Sequence, residues 1–200
     1  TNNNDFDYYL KKLGYSFKNQ SNELGGYAAL SNKKTLLFMD IGSSPDKKFS
    51  ANYQAGALSF EIISNGKKLI CNSGYFQNQN HQLNDLSKSS AIHSTLILDD
   101  RSSCKFNKIK NKGSEILYGL KILKKNIVFE KNYWKINAAH DGYLKRYGII
   151  HEREIEFYPE QTKFVGHDKM ISKNSIKNLK FEIRFHLQPN IKTMKTQDNK

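Results

Sequence analysis

His93, His140 with Asp141, and His151 with Arg153 are the side chains best suited to chemistry in this chain. An imidazole takes or gives a proton near neutral pH and can hold a metal. His140 and Asp141, adjacent in HDGY, are the residue types of a base and its orienter. A turn at Gly142 with unusual dihedrals, anchored by Tyr143, explains the same letters and is the preferred reading. In GIIHEREIEFY, His151 and Arg153 share a strand face with Ile155 and Phe157, which puts them inside a sandwich near its rim or along a cleft. Arginine there offers a bidentate fork to a ligand's carboxylate or to a nearby Asp or Glu. His93 opens a strand after a small-residue run. A satisfied, partly buried histidine is its first reading, a ligand or catalyst its second. Arg184 and His186 alternate with apolar residues in FEIRFHL and are assigned to a solvated outer face, while His81 and His167 fall in loop-like sequence. HExxH, GxSxG, the P-loop and GxGxxG are absent, which weighs against zinc-protease, serine-hydrolase and nucleotide-binding chemistry.

The elements that must position these groups are mostly strands. A short helix is predicted over Asp5–Leu13, where Phe6, Tyr9, Leu10 and Leu13 follow helical spacing and Gly14 offers a stop. Beyond Gly26 the pattern is strands and turns. TLLFMDI (Thr35–Ile41) is apolar on both faces and suits a central strand. Leu58, Phe60 and Ile62 alternate with Ser59 and Glu61, and Asn65-Gly66 predicts a hairpin into LICNSG. Residues 75–90 read as a long polar loop of the kind that often carries function. Ser94–Leu98 returns to the sheet. Ile116–Leu123 and Asn126–Asn137 read as a hairpin joined at Lys124-Lys125, and in FEIRFHL Phe181, Ile183, Phe185 and Leu187 share the inner face. The fold class expected is all-β, a two-layer antiparallel β-sandwich with a short N-terminal helix or linker.

The length of 200 residues suits one domain, and the composition, 38% hydrophobic and 12% aromatic, suits a packed one. No apolar run approaches the ~20 residues of a membrane helix. Beginning at Thr1 without a visible signal peptide, the sequence reads as a fragment or processed product. The net charge of +13 favours anionic partners. It comes from 28 Lys spread along the chain and only 4 Arg, without clustered stacking aromatics, so a nucleic-acid partner is not expected. Cys71 is read as a buried free thiol, and a bridge to Cys104 is not required.

Several ordered motifs carry a resemblance from Gly26 to about Pro189: GYAAL with LLFMDIG, then ALSFE, LICNSG, AIHST, HDGY, GIIHER and IRFHLQP. Together they resemble the C-terminal β-domain of the heparinase II/III-like polysaccharide lyases, above all a bacterial subgroup. The resemblance implies a linker or short helix over residues 1–25 leading from an N-terminal helical toroid. It implies the β-sandwich over 26–190 and a polar tail over 191–200. It also implies β-elimination on an acidic, uronate-containing polysaccharide and a periplasmic or envelope setting. In the family most reacting groups sit on the toroid, while the β-domain adds a cleft histidine and a zinc site. Aligned through LSFE, the two family histidines fall at Asn52 and Gln54, and a family Asp falls at Gly56. The zinc-binding Asp falls at Asn72, and His93 keeps its identity. Asn52, Gln54, Asn72 and His93 are therefore the candidate substrate-binding residues, with no metal and no cofactor expected, because two amides and one imidazole are a poor zinc set. The expected partners are acidic polysaccharide and the chain's own toroid, with the fragment inactive alone. The alternative is a non-catalytic glycan-binding or scaffolding domain.

Overall fold

A computed structural model describes residues 3–14, 22–78, 81–109, 113–172 and 178–194. Helix α1 (Asn3–Lys12) matches the amphipathic spacing, and Gly14 follows in the left-handed region. Strands β1 (Glu23–Leu24), β2 (Tyr27–Ser31), β3 (Thr35–Asp40), β4 (Phe60–Ser64) and β5 (Lys67–Cys71) come next, then α2 (Gln82–Ser87) and β6 (Leu96–Leu98). After them run β7 (Lys105–Ile109), β8 (Gly113–Tyr118), β9 (Ile122–Phe129), β10 (Trp134–His140) and α3 (Leu144–Tyr147). The chain closes with β11 (Ile149–Tyr158), β12 (Lys163–Ser172), β13 (Phe181–Ile183) and β14 (His186–Leu187). No helix among the described residues is long and apolar enough to cross a membrane.

Two antiparallel sheets make the sandwich: β1-β2-β3-β4-β5-β14 and β12-β11-β10-β9. Alternation decides which face each strand buries. Thr35, Leu37 and Met39 of β3 point inward with Phe60 and Ile62 of β4, and meet Ile136, Ala138, Ile155 and Phe157 of the second sheet. Burying each large side chain of this layer contributes about 1.5–3 kcal/mol. As its two apolar faces predict, β3 is central, and Asn65-Gly66 makes the β4–β5 turn with both residues at positive φ.

The described residues correct several expectations. Residues 75–90 contain α2, which His81 caps by accepting the Leu83 N–H, so the polar stretch is no plain loop. Its helical turn is too short to show a period. Lys124-Lys125 is mid-strand: β9 runs through it to pair with β10, and β8 pairs with β7 instead. FEIRFHL splits between β13 and β14 in different sheets, so its alternation does not hold throughout: Ile183 packs inward against the cluster of Leu96 and Leu98 as expected. Phe181 and Phe185 are about half exposed, while Arg184 and His186 bond the Ala91 carbonyl. Cys71 is half-buried rather than buried, and both cysteines are free. Gly142 does not have positive φ; a Cβ there would lie 2.6 Å from the Ser103 carbonyl oxygen. The tail residues 195–200 lie outside the described residues.

A buried polar relay joins the sheets to the loops above them. The Gly142 N–H donates to His140 Nδ1, so His140 carries its proton on Nε2 and donates to His151 Nδ1, 3.2 Å away. His151 then donates from Nε2 to Asp168 Oδ1 at 2.6 Å. Burial holds His140 neutral, helped by His151 and Arg153, and burial likewise outweighs the Asp168 bond at His151. Arg153, on the same β11 face, grips Asp168 through Nε and Nη2 at 2.8 and 3.0 Å. Its Nη1 donates to the carbonyls of Leu58 at 2.8 Å and Ser94 at 2.7 Å. Burial pushes the Asp168 carboxyl up, but the bonds from His151 and Arg153 win and leave it at about 2. Removing one member of a buried pair strands the other's charge. R153M is therefore expected to lose about 3–5 kcal/mol in a urea titration. R153K should recover little, because an ammonium lacks the planar fork. A loss for R153M below about 1 kcal/mol would show that the pair is peripheral.

Candidate functional site

Between Ala51 and Ser59 the chain makes no strand, so its carbonyls need partners from elsewhere. The next polar segment supplies them. Lys88, 1% exposed, donates from Nζ to the Ala51 carbonyl at 2.6 Å and to Ser114. Ser90 Oγ donates to the Ala55 carbonyl, Thr95 Oγ1 to that of Ala57, and Arg153 to that of Leu58. Leu58 takes φ 58°, a left-handed conformation that costs about 1–2 kcal/mol for a residue with a side chain. Arg153 and the Leu58 N–H bond to the Asp40 carbonyl offset that cost. This kink explains why β4 begins only at Phe60 although the alternation starts at Leu58.

The kink sets Gly56 against His93. A Cβ at Gly56 would sit 3.3 Å from the imidazole, tighter than ordinary packing. Around them opens a cleft of about 400 Å³ on the outer face of the six-stranded sheet. It brings together all four candidate residues, Asn52, Gln54, Asn72 and His93, with Tyr27, Asp40 and Glu61. Gln54 Nε2 donates to the carbonyls of Gly74 and Ser87, each at 2.8 Å. Asn52 Oδ1 accepts the Tyr75 hydroxyl at 2.7 Å. Asn72 uses both amide ends: Nδ2 donates to Ser59 Oγ at 3.2 Å, and Oδ1 accepts the Ser94 N–H at 2.8 Å. Its own N–H donates to Glu61 Oε1 at 3.1 Å.

His93 is buried, and burial lowers its pKa to about 4 against the push of a hydrogen bond to the Ser87 carbonyl. Its Nε2 has no partner, so the nitrogen bonded to that carbonyl is Nδ1, and Nε2 keeps a bare lone pair. The satisfied histidine of the first reading is therefore satisfied on one side only. Asp40 is the other displaced group. Burial raises its carboxyl to about 6, and the Gly42 N–H bond pulls it only partway back. Burial also raises the Tyr27 phenol, with Asp40 and Glu61 adding to the effect. The cleft thus gathers a neutral imidazole, a carboxyl whose pKa is raised to about 6, Glu61 and amides. Sequence reasoning missed Tyr27 and Asp40; the outward position of Glu61 in the ALSFEII alternation was the available signal. His140 and Asp141 make no base–orienter pair, since Asp141 accepts the Lys121 N–H while His140 serves the relay. Tyr143 is the anchor expected, its hydroxyl bonded to the Leu96 carbonyl.

Zinc takes three or four His, Cys or carboxylate ligands. Here the amides of Gln54 and Asn72 are committed to protein partners, Gly56 brings no side chain, and His93 has one free nitrogen. No group of three His, Cys, Asp or Glu converges among the described residues. The residues present do not fit zinc.

The His93 shift sets a pH dependence. Below its unfolded value of 6.5 the unfolded histidine binds more protons than the folded one, so stability falls with pH down to about 4. Asp40 acts oppositely between about 6 and 3.8, where its protonation favours the folded chain. H93Q is expected to remove ~1.5 kcal/mol of the stability change between pH 6.5 and 5, measured by urea melts at both values. Equal changes in the two proteins would mean that His93 titrates normally.

No curated protein matches the chain in sequence. A solved structure titled as a heparinase III gene product with methylated lysines superposes with a TM-score of 0.51 at 15% identity. The match covers 84% of this chain and 26% of that one, so this chain spans about a quarter of that protein's length and the likeness is one of fold. The family described as heparinase II/III-like, C-terminal, matches residues 19–200. Matched over nearly all of its length and folded as the antiparallel sandwich, the chain belongs to the heparinase II/III-like C-terminal family and is a polysaccharide lyase-like domain.

Proposed function

We propose that this domain contacts an acidic, uronate-containing polysaccharide at the Asn52–Gln54–Asn72–His93 cleft, within a protein that cleaves such chains by β-elimination. The observation that supports it best is the convergence of the four residues with Tyr27, Asp40 and Glu61 in one cleft of about 400 Å³. Elimination needs a base for the proton beside the carboxyl group, an acid for the leaving oxygen, and donors or cations for the enolate-like charge. Asp40 and Glu61 are the wrong sign for that charge, and Gln54 and Asn72 spend their donors on the protein. The domain's part is to position: Asn52 and the Gln54 amide oxygen bond sugar hydroxyls, buried His93 backs them against Gly56, and no zinc takes part. A helical toroid supplies the reacting groups, and the domain alone does not turn over. The second reading, a non-catalytic glycan-binding or scaffolding domain, draws on the same committed amides.

The purified chain is expected to release no unsaturated uronate ends, followed by near-ultraviolet absorbance, from heparin, alginate or pectate. N52A/Q54A should weaken binding of uronate oligosaccharides about tenfold, a loss of about 1.4 kcal/mol. Release of unsaturated ends by the chain, abolished by His93→Ala, would instead put proton transfer in this domain. Unchanged binding in N52A/Q54A would remove the cleft as the glycan site.

A further inference from the structure

A second concavity of about 240 Å³ lies away from the cleft, between the start of β7, the end of β8 and α3. The buried Ala55, Ala57, Cys104 and Leu120, with Tyr53 packed on them, separate the two. Its rim carries Lys105, Lys145 and Arg146, all exposed, and its lining includes no carboxylate. None of the three takes part in an ion pair among the described residues, whereas Lys47, Lys108 and Lys180 do. Two of them converge on one ring. Lys145 Nζ lies 3.8 Å from the Tyr118 centroid, and Lys105, the cross-strand partner of Tyr118, brings its Nζ to 6.0 Å. The ring attracts each ammonium, but two cations gathered at one ring also repel, and an anion bound beside them relieves the repulsion.

The floor of this pocket is neutral and already satisfied. Tyr143 spends its hydroxyl on the carbonyls of Leu96 and Arg101, and Ser102 Oγ accepts the Ser90 N–H. Burial pushes the Cys104 thiol up to about 12, so it stays protonated and adds no negative charge. What remains is a rim of three cations without an ion pair among the described residues, Lys105 and Lys145 at the half-exposed Tyr118 ring and Arg146 over the Tyr147 ring at 5.9 Å.

We infer that Lys105, Lys145, Arg146 and Tyr118 form an anion-binding pocket for the carboxylate or sulfate group of an acidic sugar unit lying outside the cleft. The cations take the charged group through charge-assisted hydrogen bonds, and the Tyr118 edge packs against the sugar ring. The volume holds one such unit, so the pocket adds a second point of attachment rather than a second cleft. The choice of sugar as the anion's carrier rests on the function proposed above; the anion site itself rests on the pocket alone.

The test is calorimetric titration at fixed salt with a sulfated uronate hexasaccharide from heparin, an unsulfated oligogalacturonate hexamer, neutral cellohexaose and inorganic sulfate. K105Q/K145Q/R146Q is compared with K33Q/K34Q/K67Q, which removes the same charge from exposed positions at and beside two hairpin turns, and with N52A/Q54A in the cleft. The expected result is a loss of about tenfold or more for an acidic hexasaccharide in the pocket variant. The turn variant should change less than about twofold, and cellohexaose should be indifferent to the pocket variant. Preference between the two acidic hexamers identifies sulfate or carboxylate as the group bound. Equal losses in the pocket and turn variants would reduce the effect to net charge and overturn the proposal. So would sulfate binding as tightly as the hexamers, which marks an adventitious ion only, or no binding of either acidic hexamer to the unmodified chain. Loss confined to N52A/Q54A would overturn the pocket while leaving the cleft intact; loss confined to the pocket variant would do the reverse.

Discussion

The guanidinium of Arg153 is the constraint on which the site depends. One plane of donors reaches the Asp168 carboxylate on β12 and the backbone carbonyls of Leu58 and Ser94. Those carbonyls belong to the two segments that form the cleft floor: the kinked stretch ahead of β4 and the turn carrying His93. A neutral side chain could fill the same volume but could not satisfy both carbonyls and balance a buried carboxylate. The fork therefore converts the register of β11 against β12, Arg153 opposite Asp168, into the position of loops from the other half of the chain.

Around this pin the polar groups divide by commitment. Lys88, Ser90 and Thr95 satisfy the backbone of residues 51–57, and Asn72 ties Ser59 to Ser94. Amides thus hold together, by hydrogen bonds in both directions, a corner that a metal could hold only with charged or imidazole ligands. His93 Nε2 and the displaced Asp40 carboxyl are the groups left with chemistry to spare. Both face a neighbourhood where burial, not a charged partner, sets protonation.

The sandwich was legible because period-two alternation survives in β4 and β11, where each inward residue is buried as read, and because the two apolar faces of β3 mark it as central. The four candidate residues were legible as strand-end polar groups aligned by motif, and the cleft does collect them. What was hidden is non-local. Asp168 sits in a strand with no distinctive pattern, and only the β11–β12 register makes it the partner of Arg153 and His151. The left-handed Leu58 breaks a strand that alternation alone continues. Lys124-Lys125 resembled a turn because both lysines face solvent on a long strand, and FEIRFHL misled because its chain changes sheets midway. Asp40 read as the end of an apolar strand, and its raised pKa arises from burial by loops distant in sequence.

The most direct test of an amide-held, metal-free site is elemental analysis of chelator-free protein followed by a zinc-titrated melting curve. The account predicts no stoichiometric zinc and no rise in melting temperature. Bound zinc at one equivalent, or a melting temperature that climbs with added zinc, would contradict it and make His93 a ligand.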